Sequence, residues 1–109
     1  MWYDEDDRIM KILENLDMEK PECFPVICPI CGKKEGHIFF YRHEEGERGG
    51  MWTWCSACRH RAHSLMRLPK WWVNLKGLDE KKFINYPEYL EENKRKIDCW
   101  VNELMNNIR

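Results

Sequence analysis

The sequence predicts a small α+β fold: an antiparallel sheet flanked by an N-terminal helix and a long C-terminal helix. Three observations in the 109 residues predict it: apolar residues at helical spacing near both ends, strand-like patterning between them, and two Cys-x2-Cys pairs that bracket the strands. One domain is expected at this length. Its parts are an N-terminal helix over 1–22, a cysteine-bearing sheet over 26–68, and an aromatic segment with C-terminal helices over 69–109. A hydrophobic core of this size is marginal by itself, so the fold calls for a staple.

The first helix follows from Ile9, Ile12, Leu13 and Leu16, which recur at i, i+3, i+4 and i+7. The acidic run Asp4, Glu5, Asp6 and Asp7 suits its N-terminus, and Lys20 followed by Pro21 marks its end. Strands are expected over 37–43, 51–55 and 61–68, the first two joined by the polar, Gly-containing turn 44–50. Trp52 and Trp54 share one face of the second strand. Together with Trp71 and Trp72 they are expected to cover the open face of a small sheet, with base stacking as the competing use. A short helix over 79–84 follows Gly77. Pro87 then fits the first turn of the last helix, whose stripe is Leu90, Ile97, Trp100, Val101, Leu104, Met105 and Ile108. At roughly 30 Å this helix exceeds what the sheet needs for cover, which leaves part of the stripe for a partner or a second copy.

Cys28, Cys31, Cys55 and Cys58 form the ligand set of one structural Zn²⁺. Two intervening residues let the chain turn so that both thiolates of a pair face one ion, and Gly32 supplies positive φ after the first pair. The alternatives are buried thiols or disulfides, yet two such pairs in a short chain argue for metal. A thioredoxin-like use of Cys28 and Cys31 wants a βαβ context that this chain lacks. Cys23 and Cys99 are left over as reduced, partly buried thiols. His37, His43, His60 and His63 read as surface or hydrogen-bonded histidines, with replacement of one cysteine ligand left open.

With 23 residues between Cys31 and Cys55, residues 26–68 resemble a zinc ribbon, a family in which two knuckles at the ends of a small antiparallel sheet pinch one zinc. The resemblance carries over Cys28, Cys31, Cys55 and Cys58 only, and the hairpin is longer than in the shortest ribbons. Four thiolates saturate the ion and leave no open position for an activated water, so no enzyme is expected. A deaminase would pair its Cys-x2-Cys with an upstream His-x-Glu and a proline before the cysteine, an arrangement that neither His37 nor His43 supplies. Phosphate loops, nucleophile elbows and paired-carboxylate motifs are also missing from the sequence.

Charge points to partners. Residues 1–27 hold eight acidic and three basic side chains, whereas residues 28–70 hold four acidic and eight basic ones, and the whole chain carries −1. The strings 54–58 and 68–72 look like those of small bacterial zinc-ribbon proteins encoded beside polymorphic toxins. That resemblance implies an immunity or inhibitor protein but transfers no inhibitory residue; the charge pattern makes Asp4, Glu5, Asp6 and Asp7 the expected contact with a basic toxin surface, such as that of a nuclease, and reduced cysteines without an export signal point to the cytoplasm. The alternative is a nucleic-acid-binding ribbon acting in transcription or RNA metabolism, with Arg42, Arg48, Arg59, Arg61, Arg67 and Lys70 on phosphates. A pI near 6.4 weighs against it. Neither a membrane partner nor a small-molecule substrate is expected, because no apolar run nears the ~20 residues of a span and the start is acidic where a signal peptide is basic.

Overall fold

In a computed structural model that describes residues 1–16, 23–43 and 46–107, three strands form an antiparallel sheet in sequence order: β1 (Gly36–Arg42), β2 (Arg48–Cys55) and β3 (Arg61–Arg67). Pairing runs from Gly36 opposite Cys55 to Arg42 opposite Gly49, and from Arg48 opposite Arg67 to Trp54 opposite Arg61. The second strand begins earlier than its apolar pattern suggests, because Gly49 and Gly50 belong to the ladder rather than to the turn. Expected turn residues Glu44 and Glu45 lie outside the described residues.

Alternation places His37, Phe39, Tyr41, Trp52, Trp54, Arg61, His63 and Leu65 on one face. Ile38, Phe40, Arg42, Met51, Thr53, Ala62 and Met66 lie on the other. Strand β2 is buried on both faces from Gly49 to Cys55, so the middle of the sheet is the centre of the core. Trp52, Trp54 and Trp72 are buried and Trp71 is half-buried, the core placement that large rings beside a small sheet favour.

A short N-terminal helix packs on the sheet. It opens as a 3-10 turn, Asp7–Met10, and continues as α1 (Lys11–Glu14). Extended Asp6 caps it, its carboxylate accepting the amide of Arg8 at 3.0 Å. Ile9 and Ile12 are fully buried. The stop expected at Lys20 and Pro21 lies outside the described residues. Ahead of the helix the chain runs along the rim of β3: Tyr3 N–H donates to Arg59 O at 3.0 Å and Asp6 N–H to Arg61 O at 2.9 Å.

The C-terminal cover is built in three pieces. A 3-10 helix, Glu80–Asn85, sets Phe83 against Phe39, Tyr41 and Trp52. Two helices follow, α2 (Glu88–Glu92) and α3 (Lys94–Asn107). The single long helix expected from Pro87 onward is interrupted at Asn93. Its side-chain amide donates to Tyr89 O at 2.8 Å, closing α2, while its own carbonyl accepts Ile97 N–H at 3.0 Å and opens α3. Helix α3 lies against β1 and buries Ile97, Asp98, Val101, Leu104 and Met105. Trp100 is half-buried and donates its indole N–H to Val73 O at 2.7 Å. The described part of the stripe is therefore used within the chain, and Ile108 lies outside the described residues. Among the described residues no helix is long and apolar enough to cross a membrane.

Candidate metal centre

The two Cys-x2-Cys turns are built alike. In each, the first cysteine donates its amide five residues ahead, Cys28 to Lys33 O at 2.8 Å and Cys55 to His60 O at 3.0 Å. In each, the residue four positions on returns an amide to that cysteine's carbonyl at 3.0 Å, Gly32 to Cys28 and Arg59 to Cys55. Both of those residues are left-handed, with φ of +78° at Gly32 and +64° at Arg59. Backbone amides also point at sulfur: Ile30 N lies 3.3 Å from Cys28 Sγ, and Ala57 N lies 3.3 Å from Cys55 Sγ. Such donors stabilise thiolates.

The pairs meet because Gly36 opposite Cys55 brings the base of β1 to the end of β2, and Ser56 N–H donates to Glu35 O at 3.0 Å. Cys28 Sγ lies 3.7 Å from Cys58 Sγ, and Cys31 Sγ 3.7 Å from Cys55 Sγ. All four sulfurs lie within 4.8 Å of one another. A tetrahedron with bonds of about 2.3 Å has edges of about 3.8 Å, so the cluster has the size of a four-thiolate metal site. The four cysteines are positioned to hold one metal ion. Cys28 and Cys55 are buried, Cys58 is half-buried and Cys31 is exposed. Burial pushes the Cys55 and Cys58 thiols up.

Gly32 offers a clean check on this geometry, since a Cβ there would meet nothing within 4 Å. Gly32→Ala therefore carries only the left-handed backbone cost of about 1 kcal/mol. Thermal denaturation is expected to show a drop in Tm of about 4–5 °C.

The four histidines stand apart from the cluster. His60 stacks on Tyr3 with ring centroids 4.6 Å apart, His63 stacks on Trp52 at 4.8 Å, and His43 meets the edge of Tyr41. His37 is buried. Its Nδ1 lies 2.9 Å from both carboxylate oxygens of Asp98, and its Nε2 lies 2.8 Å from Ser56 Oγ. Ser56 in turn donates to Glu91 Oε1 at 2.6 Å, an oxygen that also accepts the Trp54 indole at 3.1 Å, while Lys94 Nζ reaches Glu91 Oε2 at 2.9 Å. With its proton committed to Glu91, the Ser56 hydroxyl acts as a tie between the second cysteine turn and helices α2 and α3. Asp98 is pushed up by its burial, against the pull of His37. Sequence reasoning missed this network, although Asp98 sits inside the apolar stripe of α3, where a carboxylate needs a buried partner.

Cys23 and Cys99 are both exposed, not partly buried as expected. In the acidic run, Glu5 accepts the Tyr86 hydroxyl and Asp6 pairs with Arg8 at 2.6 Å, while Asp4 and Asp7 are exposed. Arg8 hydrogen bonds hold the Asp6 carboxyl down at about 2. Burial, followed by the Glu5 carboxylate, pushes the Tyr86 phenol up to about 12. The folded chain thus keeps a proton that unfolded tyrosines release near pH 10. Stability is expected to fall as pH rises from about 10 to about 12. Chemical denaturation of Tyr86→Phe should show that part of the decline removed.

The basic residues are divided between the two faces, and three of the six, Arg42, Arg59 and Arg61, are engaged within the chain. Arg42 lies on the face opposite Arg48, Arg61 and Arg67, and its guanidinium donates to Pro69 O and Trp72 O, each at 3.3 Å. Arg59 packs over Trp2, Arg61 donates to Tyr3 O at 3.0 Å, and Arg67 pairs with Glu47 at 3.4 Å. Arg48 and Lys70 are exposed. Comparison of the chain with protein-family models, with curated proteins and with solved structures gave no match.

Proposed function

We propose that the chain is a non-catalytic protein-interaction module whose four cysteines hold zinc, and that it binds and neutralises a basic partner such as a toxin nuclease in the manner of an immunity protein. The four-thiolate set supports zinc in a structural role, because thiolates at this spacing suit a tetrahedral d¹⁰ ion and leave it no open position. The ion supplies a cross-link between two loops, and the residues around it orient and satisfy the thiolates.

The observation that carries the binding role is the pinning of the acidic segment along the rim of β3 by the Tyr3 and Asp6 amides. This presents exposed Asp4 and Asp7 on a rigid support beside Glu5. Carboxylates held in place before binding steer a basic surface and lose little side-chain freedom on contact. Engagement of Arg42, Arg59 and Arg61 within the chain takes half of the six basic side chains out of the footprint that nucleic acid would need.

The test is a pair of titrations. The zinc-loaded protein is expected to show no saturable binding to labelled RNA or DNA at low salt. It is expected to retain a basic protein encoded beside it, with affinity at least about tenfold weaker in Asp4→Lys/Asp7→Lys. Micromolar nucleic-acid binding, or a partner indifferent to those two charges, would overturn the reading.

A further inference from the structure

The two edges of the sheet are finished differently. On β1, Val26 exchanges main-chain hydrogen bonds with Gly36 at 2.9 and 2.8 Å, the Asn74 side chain bonds both the amide and the carbonyl of Arg42, and α3 lies against the strand. On β3 the register fixes which main-chain groups are left over. His60 O accepts Cys55 N–H and Leu68 N–H donates to Glu47 O, so the even-numbered residues of β3 bond inward to β2. The odd-numbered residues point outward. Arg61 O takes the Asp6 amide at 2.9 Å, and beyond it the amides and carbonyls of His63, Leu65 and Arg67 have no main-chain partner among the described residues. Leu65 O meets only the hydroxyl of its own neighbour Ser64, at 3.3 Å.

We propose that this open edge is the docking site for a second copy of the chain, whose β3 pairs with it antiparallel about a two-fold axis at Leu65 and continues the sheet through both molecules. Leu65 then lies opposite its counterpart and the two exchange both main-chain hydrogen bonds, while His63 and Arg67 face each other in the same way on either side. The neighbouring symmetric centres fail. Pairing about His63 would set Arg61 against Leu65 of the other copy, and the Arg61 edge is already taken by Asp6 and by the bridge to Glu5. Pairing about Arg67 would put like charges directly opposite each other, which destabilises a ladder. The Leu65 centre avoids both. The chain turns at Pro69, whose carbonyl accepts Trp72 N–H at 3.1 Å, so the incoming strand ends where the Asp6 segment begins.

The side chains fit the same register. Natural edges are kept from pairing by prolines and charges, and residues 62–66 carry neither. Leu65, 64 % exposed, and Ile84, exposed as well, line one cavity on the Trp52 face, so the two-fold axis brings two apolar patches together. Arg67 is tied in its own chain only to exposed Glu47. Across the axis it comes opposite His63, whose ring neighbours Tyr86, the residue that donates its hydroxyl to Glu5. Unlike charges, Arg67 and Glu5, therefore approach each other at both ends of the ladder. This edge lies beyond the acidic segment, and its pairing does not depend on a partner for Asp4 and Asp7.

The experiment is sedimentation equilibrium of the zinc-loaded protein from about 1 μM to about 1 mM, a range chosen because a contact of one short strand associates weakly. The weight-average mass is expected to rise from the 13.4 kDa of one chain toward twice that value. Leu65→Pro removes the amide at the axis, and because that N–H points away from β2 the strand keeps its own ladder; association is expected to weaken at least about tenfold. Leu65→Lys keeps the backbone and sets like charges across the axis, with the same weakening of at least about tenfold. Amide exchange followed by NMR locates the contact. The Leu65 amide proton is expected to exchange freely in the dilute protein and slowly in the concentrated one, whereas that of Met66, bonded to β2, is slow in both. A wild-type chain that stays monomeric at about 1 mM, a dimer that either folded variant leaves intact, or a Leu65 amide that still exchanges freely in the dimer overturns the assignment.

Discussion

Removing the metal is expected to unfold the sheet. Two loops, 27 residues apart at Cys28 and Cys55, are joined through the ion, and both of these cysteines are fully buried. Structural zinc contributes on the order of 10 kcal/mol or more to small domains that fold around it, as much as the whole stability of a chain this size. A strong chelator should therefore abolish far-UV circular dichroism from the strands and shift tryptophan emission to the red, because Trp54 adjoins Cys55 and is itself completely buried. Adding zinc back should restore both signals. Cys55→Ser should reproduce the chelated state even in excess zinc. A sheet that persists with the metal stripped would show that the aromatic core suffices without the cross-link.

The second large effect is expected at His37. With its side chain 2 % exposed and both Asp98 oxygens 2.9 Å from Nδ1, it accounts for most of what keeps a buried carboxylate paired. His37→Ala leaves Asp98 without that partner and also strips Ser56 of one neighbour. Breaking a buried pair from one side costs about 3–5 kcal/mol. Thermal denaturation of the zinc-loaded variant should show a fall in Tm of at least about 12 °C. His37→Leu/Asp98→Leu removes both halves and should recover more than half of that loss, because an apolar pair of similar volume needs no compensation. If the double variant is as unstable as His37→Ala, the pair is not the source of the effect.

How much of this was legible in the sequence depends on how local the cause is. The cysteine turns were legible because a two-residue spacing dictates their geometry, and Gly32 announced its positive φ. Arg59 holds the equivalent position in the second turn and gave no such sign; the repeated pattern of amide donors, not its side chain, fixes its backbone. The strands were legible from alternation, except at Gly49 and Gly50, whose composition imitates a turn while their role is to admit the Trp52 ring and the neighbouring strand. The break between α2 and α3 was hidden because Asn93 interrupts no apolar repeat, although a side chain that bonds to nearby backbone is a natural place for one helix to end and another to begin. The His37–Asp98 pair joins residues 61 positions apart. It has no local signature, since only the packed fold brings the two groups together.

The most direct test of the account is metal analysis of the purified protein combined with X-ray absorption at the zinc edge. One zinc per chain surrounded by four sulfurs at about 2.3 Å is the predicted result. A zinc shell containing nitrogen or water oxygen, or a folded protein with four freely reactive thiols and no bound metal, would contradict it.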